Sequence, residues 1–191
     1  VSVWKYTHSE YFFTPPKSIV RAATPPMGWN SWNAFHCDSE FNERTIKVII
    51  DRMVNDGYVS AGYRYVVLDD CWQSSRATNG EIQVDRERFP SGISALVEYA
   101  HQKGLLFGIY TSAGKTTCEG KPGSYGFEQQ DMETFLDWQV DFIKLDWCGA
   151  DYLHIESVYR KWRALIDQSK RPIILSIAIA QNYSAYDSQS W

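Results

Sequence analysis

Residues 142–151 read FIKLDWCGAD. The stretch begins with a short apolar run that carries Lys144 and Asp146 near its end, and Cys148 follows two residues after Asp146. A short apolar run bounded by acidic residues is typical of a buried strand. A carboxylate at the end of such a strand either caps the next helix or is presented as a reactive group. The rest of the chain decides between these two interpretations.

Short apolar runs of the same kind alternate with segments of helical periodicity. The runs are MGWN (27–30), GYRYVVLDD (62–70), GLLFGIY (104–110), DFIKLD (141–146) and RPIILSIA (171–178). Apolar residues recur at helical spacing within 46–53, 93–100, 127–139 and 155–166, and Ser91 is a candidate N-cap of the second of these segments. This repeat predicts a parallel sheet with right-handed crossovers.

Two architectures share that pattern: an open doubly wound sheet and a (β/α)8 TIM barrel. An open sheet that binds a dinucleotide is expected to carry a glycine-rich turn, and neither G-x-G-x-x-G nor G-x-x-x-x-G-K-[ST] occurs. Polar or aromatic residues instead lie at or just beyond the C-terminal end of each run: Trp29, Trp32, Asp69, Asp70, Tyr110, Lys144, Asp146 and Ser176. Side chains delivered to one face by successive strands are typical of a barrel's active site, although any single Asp could be a helix cap. We therefore predict a (β/α)8 barrel, of which about the first five βα units are present.

Composition narrows the class of protein. The chain has 191 residues and a net charge of -4, and it contains neither an 18-residue apolar run nor a basic stretch interleaved with aromatics. These features argue against a membrane span and against nucleic acid as a partner. The aromatic content of 15%, with eight Trp, suits either a sugar-binding cleft or a large core. Nothing at the N-terminus is typical of a signal peptide, and residues 1–23 are predicted to be a Pro-rich lead-in to a domain that begins at Thr24.

Four segments of the sequence resemble successive motifs of one enzyme family. They are TPPMGWNSW (24–32), GYRYVVLDDCW (62–72), RFPSGISALVEYAHQKGLLFGIYTSAG (88–114) and FIKLDWCGA (142–150). They are similar, in order and spacing, to motifs of the α-galactosidase and α-N-acetylgalactosaminidase group of glycoside hydrolases. The resemblance implies a (β/α)8 catalytic barrel followed by a β-sandwich, and hydrolysis with retention of anomeric configuration by two aspartates. Residues 24–191 would be the N-terminal portion of the barrel, with its remainder and the β-sandwich absent from this sequence.

The resemblance also implies roles for individual residues. Asp146 matches the nucleophile, and Lys144, two residues earlier on the same face of the strand, would favour its ionised form and donate to a sugar hydroxyl. Asp69 and Asp70 match the pair that reads sugar hydroxyls. The other substrate-binding positions are Trp32, Tyr110 and Ser176, with Trp29 interpreted as a core residue. No metal or organic cofactor is implied.

The four cysteines, Cys37, Cys71, Cys118 and Cys148, lack C-x-x-C spacing and so do not indicate a zinc site. Three disulfide pairings are open from the sequence, and four reduced thiols in a cytosolic protein are the alternative. The resemblance selects Cys37 with Cys71 and Cys118 with Cys148, which implies an oxidising compartment and a secreted, lysosomal or vacuolar protein. A glycosylation sequon at Asn182 agrees with that location.

The chain departs from the family pattern at two places. Ile177 and Ala178 stand where many members carry a Cys and a Glu that read the sugar's 2-substituent. The substrate is therefore expected to be a terminal α-galactoside or a related sugar: an α-N-acetylgalactosaminide, an isomalto-type glucoside or a β-L-arabinopyranoside.

The second departure concerns the acid/base carboxylate. In the family it lies roughly sixty residues after the nucleophile, which places it beyond Trp191, and neither Asp151 nor Asp187 is a convincing substitute. The remainder of the barrel is thus an expected partner, on a longer parent chain or a second fragment. The alternative functions are a sugar-binding or inactive homologue and a truncated product without function.

Overall fold

The structure, a computed structural model, describes residues 24–150 and 153–178. The predicted lead-in, Asn182 and Asp187 lie outside these residues, as does Asp151. The strands are β1 (Gly28–Asn30), β2 (Tyr65–Leu68), β3 (Gln73–Arg76), β4 (Ile82–Val84), β5 (Leu106–Ser112), β6 (Phe142–Asp146) and β7 (Ile174–Ile177). The helices are α1 (Trp32–Phe35), α2 (Glu43–Asn55), α3 (Ile93–Gln102), α4 (Glu128–Asp137) and α5 (Ile155–Gln168).

The five apolar runs pair as one parallel sheet in the order β1-β2-β5-β6-β7, which is also their order along the chain. Parallel neighbours require a crossover, and α2, α3, α4 and α5 lie in the four connections. The carboxyl ends of these five strands therefore point the same way. The predicted parallel sheet with alternating helices is confirmed.

One face of the sheet carries the core. Val66, Leu68, Phe107, Ile143 and Leu145 alternate along the strands and are fully buried. The apolar stripes of the helices belong to the same cluster, which includes Ile46, Ile50, Leu96, Phe135, Trp162 and Ile166. Burial of these side chains stabilises the pairing of helices with strands.

The opposite face of the sheet carries a pair of aromatic rings that are only half-buried. On this face Tyr65 of β2 and Phe142 of β6 are half-buried and their ring centroids lie 5.8 Å apart. Gly108 of β5 lies between them, and a Cβ there would come within 2.7 Å of Val67 Cγ2 and 3.0 Å of Phe142 Cδ1. The absence of a side chain at Gly108 lets the two rings meet across β5.

Two features of the connections differ from the sequence prediction. Residues 73–84 form an antiparallel hairpin, β3 and β4, which interrupts the connection from β2 to α3. The N-cap of α3 is Gly92, so the expectation of Ser91 is wrong. The backbone N–H of Ser91 instead donates to Glu43 Oε2 at 2.8 Å, which ties the start of α3 to the first turn of α2.

Among the described residues, no helix combines the length and apolar character needed to cross a membrane.

Candidate active site

The carboxyl ends of the strands gather most of the predicted site residues at one edge of the sheet. In the parallel register, Tyr110 of β5 stands opposite Lys144 of β6, and Lys144 stands opposite Ser176 of β7. Asp146 stands opposite Ser112 in the same way. Because side chains alternate along a strand, these residues share one face. The structure therefore brings together side chains from strands that are far apart in sequence.

Asp69 lies at the centre of this group and is 2% exposed. Its Oδ2 accepts hydrogen bonds from Lys144 Nζ and from Asn30 Nδ2, each at 2.7 Å. Lys144 was expected to favour the ionised form of Asp146, but its ammonium forms its ion pair with Asp69. The reason is reach: the lysine side chain extends across β5, with Nζ 5.1 Å from the centroid of the Tyr110 ring.

Asp146, at the end of β6, is half-buried. Its Oδ1 accepts from the backbone N–H of Trp147 at 2.8 Å, and its Oδ2 accepts from the Tyr110 hydroxyl at 3.2 Å. Burial raises the pKa of Tyr110, and the negative charges of Asp70 and Asp146 raise it further. The phenol therefore stays protonated and acts as a donor to the carboxylate.

Asp70 faces protein backbone rather than open space. It is 1% exposed, its Oδ1 accepts from Cys71 N at 2.7 Å, and its Oδ2 accepts from Glu119 N at 3.1 Å. Burial raises its pKa, with hydrogen bonds from Thr117 and the two N–H groups acting in the opposite direction. This carboxylate holds the loop that contains Cys118 against the end of β2.

Both disulfides expected from the resemblance are formed. Cys37–Cys71 and Cys118–Cys148 have Cα–Cα separations of 5.6 and 5.0 Å, which lie within the usual range. The sulfurs of Cys118 and Cys148 and a carboxylate oxygen of Asp146 lie within 4.8 Å of one another. Because the two sulfurs are bonded to each other, the trio offers a metal ion only one free ligand. Disulfides persist in oxidising compartments, and the chain belongs in one.

A cavity of about 580 Å³ opens beside this group. Trp32 and Lys144 line it, together with Trp29, Asn30 and the short turn that follows β1. Trp32 is half-buried. Trp29 also packs edge-on against Phe35, with ring centroids 5.9 Å apart, and against the core.

The sequence prediction missed two residues of the site. Asn30 donates to Asp69 and also accepts from the backbone N–H of Trp32 at 2.8 Å. Ser31 accepts from the backbone N–H of Asp69 at 2.9 Å. Asn30 is the last residue of β1, and its place at a strand end is the signal that could have identified it.

β7 supplies the remaining predicted position. Ser176 is half-buried on the same face as Lys144, while Ile177, on the other face, is 42% exposed. The backbone N–H of Ala178 donates to Leu145 O at 3.0 Å and so continues the pairing of β7 with β6.

Residues 24–190 match the family model described as alpha galactosidase A. The chain belongs to this family. The alpha-galactosidase A of Cellvibrio japonicus is 47% identical over 156 residues, which cover 82% of this chain and 38% of the relative. The Homo sapiens alpha-galactosidase A is 39% identical over 165 residues, covering 81% of this chain and 38% of the relative.

Solved structures of alpha-galactosidases show the same fold. The Saccharomyces cerevisiae enzyme with raffinose superposes with a TM-score of 0.78 and 33% identity, covering 84% of this chain and 36% of that one. The fold is therefore that of the predicted (β/α)8 barrel, of which the described residues of this alpha-galactosidase family chain hold five parallel strands and the four crossover helices between them. The chain spans about two fifths of the length of the curated relatives it matches.

Proposed function

We propose that the protein to which this chain belongs is a retaining glycoside hydrolase that removes terminal α-linked galactose, with Asp146 as its nucleophile. The observation that carries the proposal is the setting of Asp146. It lies at the end of a strand, its two oxygens are held by Trp147 N and the Tyr110 hydroxyl, and the Asp69–Lys144 pair lies beside it. A carboxylate held still and accessible at such an edge suits attack on an anomeric carbon.

The hypothesised reaction proceeds in two displacements. Asp146 Oδ forms a bond to the anomeric carbon while the bond from that carbon to the leaving oxygen breaks, and a second carboxylic acid protonates the leaving oxygen. Water then attacks the anomeric carbon of the glycosyl-enzyme, the second carboxylate takes the proton of the water, and the bond from that carbon to Asp146 breaks. A retaining enzyme places its two carboxylates about 5–5.5 Å apart. We infer that the second carboxylate comes from the part of the barrel beyond residues 1–191.

The remaining site residues bind the sugar in this proposal. Lys144 and Asp69 form a preassembled donor and acceptor pair for neighbouring hydroxyls. Trp32 and Tyr110 supply aromatic surface, and Ser176 lies next to Lys144. Asp70 was expected to read a sugar hydroxyl, but its oxygens accept from Cys71 N and Glu119 N, so its role in this proposal is to hold the loop that contains Cys118. The polar groups discriminate between sugars because an unmatched buried hydrogen-bonding group is costly.

Comparison with relatives supports galactose as the sugar, and the two disulfides support a location outside the cytosol. Relatives at 39–47% identity are named alpha-galactosidases, and one neighbouring structure contains raffinose. We propose secretion or delivery to a lysosome or vacuole, with both disulfides intact. Residues 24–191 form the N-terminal portion of the catalytic domain in this proposal.

Mechanism-based labelling of the full-length parent enzyme tests the assignment. A 2-deoxy-2-fluoro or 5-fluoro galactosyl fluoride should trap a covalent adduct, and peptide mass mapping should place it on Asp146. Label on another residue would contradict the assignment of Asp146. Binding of galactose without turnover of any nitrophenyl α-glycoside would contradict the proposed hydrolase activity. A parallel panel of nitrophenyl α-galactoside, α-N-acetylgalactosaminide, α-glucoside and β-L-arabinopyranoside identifies the sugar.

A further inference from the structure

Ser112, the last residue of β5, contacts the backbone that follows the proposed nucleophile. It is fully buried and stands opposite Asp146 in the register of the two strands. Its hydroxyl donates to the carbonyl oxygen of Cys148 at 2.7 Å, and the carbonyl oxygen of Asp146 lies 3.3 Å away. One serine side chain therefore lies against the carbonyls on both sides of Trp147.

The backbone beside Ser112 holds the same segment. The N–H of Ala113 donates to Asp146 O at 2.8 Å. A Cβ on Gly114 would lie 2.2 Å from Gly149 C and O, so the chain after β5 and the chain after β6 pack main chain against main chain. The carbonyl of Ser112 in turn accepts from Ser124 N at 2.9 Å, which fixes the end of β5 from its other side.

We propose that Ser112 is a positioning residue that sets the orientation of the Asp146 carboxylate by holding the Cys148 carbonyl. The inference rests on the proposed role of Asp146 as nucleophile. Asp146 Oδ1 accepts from Trp147 N, so the orientation of the peptide units after Asp146 decides where that N–H, and with it the carboxylate, points. The Trp147 N–H shares its peptide unit with the Asp146 carbonyl, which Ala113 N holds, and the bond from Ser112 Oγ to Cys148 O holds the chain two peptide units later.

Loss of the hydroxyl should lower the rate of covalent attack rather than the affinity for sugar. Attack depends on the alignment of the reacting atoms, and a displacement of about 1 Å can lower a rate about 100-fold. Sugar affinity depends on the hydroxyl-binding groups, which Ser112 does not contact. In the full-length enzyme, Ser112→Ala should therefore reduce kcat and the rate of labelling by a fluorosugar by about 10- to 100-fold, with the Kd for galactose within about twofold of wild type.

The same strand offers a matched control. Thr111 is buried beside Ser112, and its hydroxyl shares a hydrogen bond of 2.6 Å with the buried Ser124 hydroxyl, away from residues 146–148. Thr111→Val removes a buried hydroxyl from β5 but leaves the bond to the Cys148 carbonyl in place, and should reduce kcat far less than Ser112→Ala. Ser112→Thr retains the donor and should restore most of the rate.

The experiment compares labelling rate, kcat and galactose Kd in these variants. Wild-type kcat in Ser112→Ala, or an equal loss in Thr111→Val, overturns the inference. If Ser112→Ala does not fold, Ser112→Cys, a weaker donor of similar volume, takes its place with an intermediate rate expected. The label in the wild-type enzyme separates the two proposals: label away from Asp146 overturns the assigned function, whereas label on Asp146 at equal rates in wild type and Ser112→Ala overturns only the role of Ser112.

Discussion

Lys144 extends over the Tyr110 ring to form an ion pair with Asp69, two strands away, with Nζ and Oδ2 separated by 2.7 Å. The lysine thus joins the ends of β6 and β2, and its ammonium lies over the aromatic ring of Tyr110 in β5. Asp146, two residues further along β6, interacts with Tyr110 through the phenol. The three strands form one connected set of polar contacts before any sugar binds.

Replacement of the proposed nucleophile tests the reaction directly. Asp146→Asn in the full-length enzyme should lower kcat/KM for a nitrophenyl α-galactoside by at least about 10³-fold, because an amide cannot form the glycosyl-enzyme. Galactose binding, measured by calorimetry, should persist. Asp137→Asn, on the exposed end of α4, is the control with expected wild-type kinetics. Near-normal turnover in Asp146→Asn would contradict the mechanism.

The Asp69–Lys144 pair should contribute to stability as well as to binding. Lys144→Met leaves the Asp69 carboxylate, which is 2% exposed, with one fewer partner, and should reduce the free energy of unfolding by about 1–3 kcal/mol. Denaturant unfolding measures the loss. Lys103→Met breaks the solvent-exposed pair with Asp51, whose side chains are 40% and 39% exposed, and should change the unfolding free energy little. Equal losses of unfolding free energy in Lys144→Met and Lys103→Met would show that the burial of Asp69 does not make its ion pair more stabilising than an exposed one.

The two disulfides should differ in their effect on catalysis. They close spans of 34 and 30 residues, so removal of either by paired Cys→Ser changes should cost about 3–4 kcal/mol of stability. Cys118 Sγ, however, lies 3.4 Å from the Tyr110 hydroxyl oxygen and 3.5 Å from Asp146 Oδ2. Loss of Cys118–Cys148 should therefore reduce kcat well beyond the effect of losing Cys37–Cys71. Thermal unfolding and initial rates, measured below the unfolding temperature of both variants, check the contrast.

Glu43 should make stability depend on pH. Burial acts to raise its pKa, but hydrogen bonds from Lys47 and Ser91 outweigh burial and hold the pKa below its ordinary value of 4.5. A carboxylate with a lowered folded-state pKa stabilises the fold above that ordinary value and loses its contribution as the pH falls through the folded-state pKa. Wild type should thus be more stable than Glu43→Gln at pH 7, and the difference should shrink below pH 4.5.

Denaturant unfolding of wild type and Glu43→Gln, from pH 7 to below pH 4.5, measures this difference in stability. Glu87→Gln, at an exposed position, provides the comparison and should show a pH profile parallel to that of wild type. A constant gap between wild type and Glu43→Gln at all pH values would show that the ionised form of Glu43 has no special stabilisation.

The sequence predicts the strands well because short β-branched and aromatic runs bounded by turn residues, alternating with regular helical segments, rarely form any other secondary structure. It predicts the edge that carries the site because carboxyl ends of parallel strands share that edge. It does not predict side-chain partners across strands. The alternation rule puts Lys144 and Asp146 on one face, yet the length of the lysine stem lets it reach Asp69 instead.

Asn30 was missed for a related reason. β1 has only three residues, too few to show the alternation that would place Asn30 on the site face. The hairpin at 73–84 was missed because its strands are short and half polar, and their pairing depends on packing against neighbouring elements rather than on a local apolar run.

The sheet order, in which each strand pairs with the strand before it along the chain, has a consequence for synthesis on the ribosome. In the described sheet each strand after β1 pairs with the sheet strand translated just before it, so pairing can follow translation step by step. The Asn30–Asp69 contact and the support from Tyr110 belong to strands that emerge before β6. Asp146 is thus the last of these residues to be translated, and it packs against strands that the nascent chain already contains.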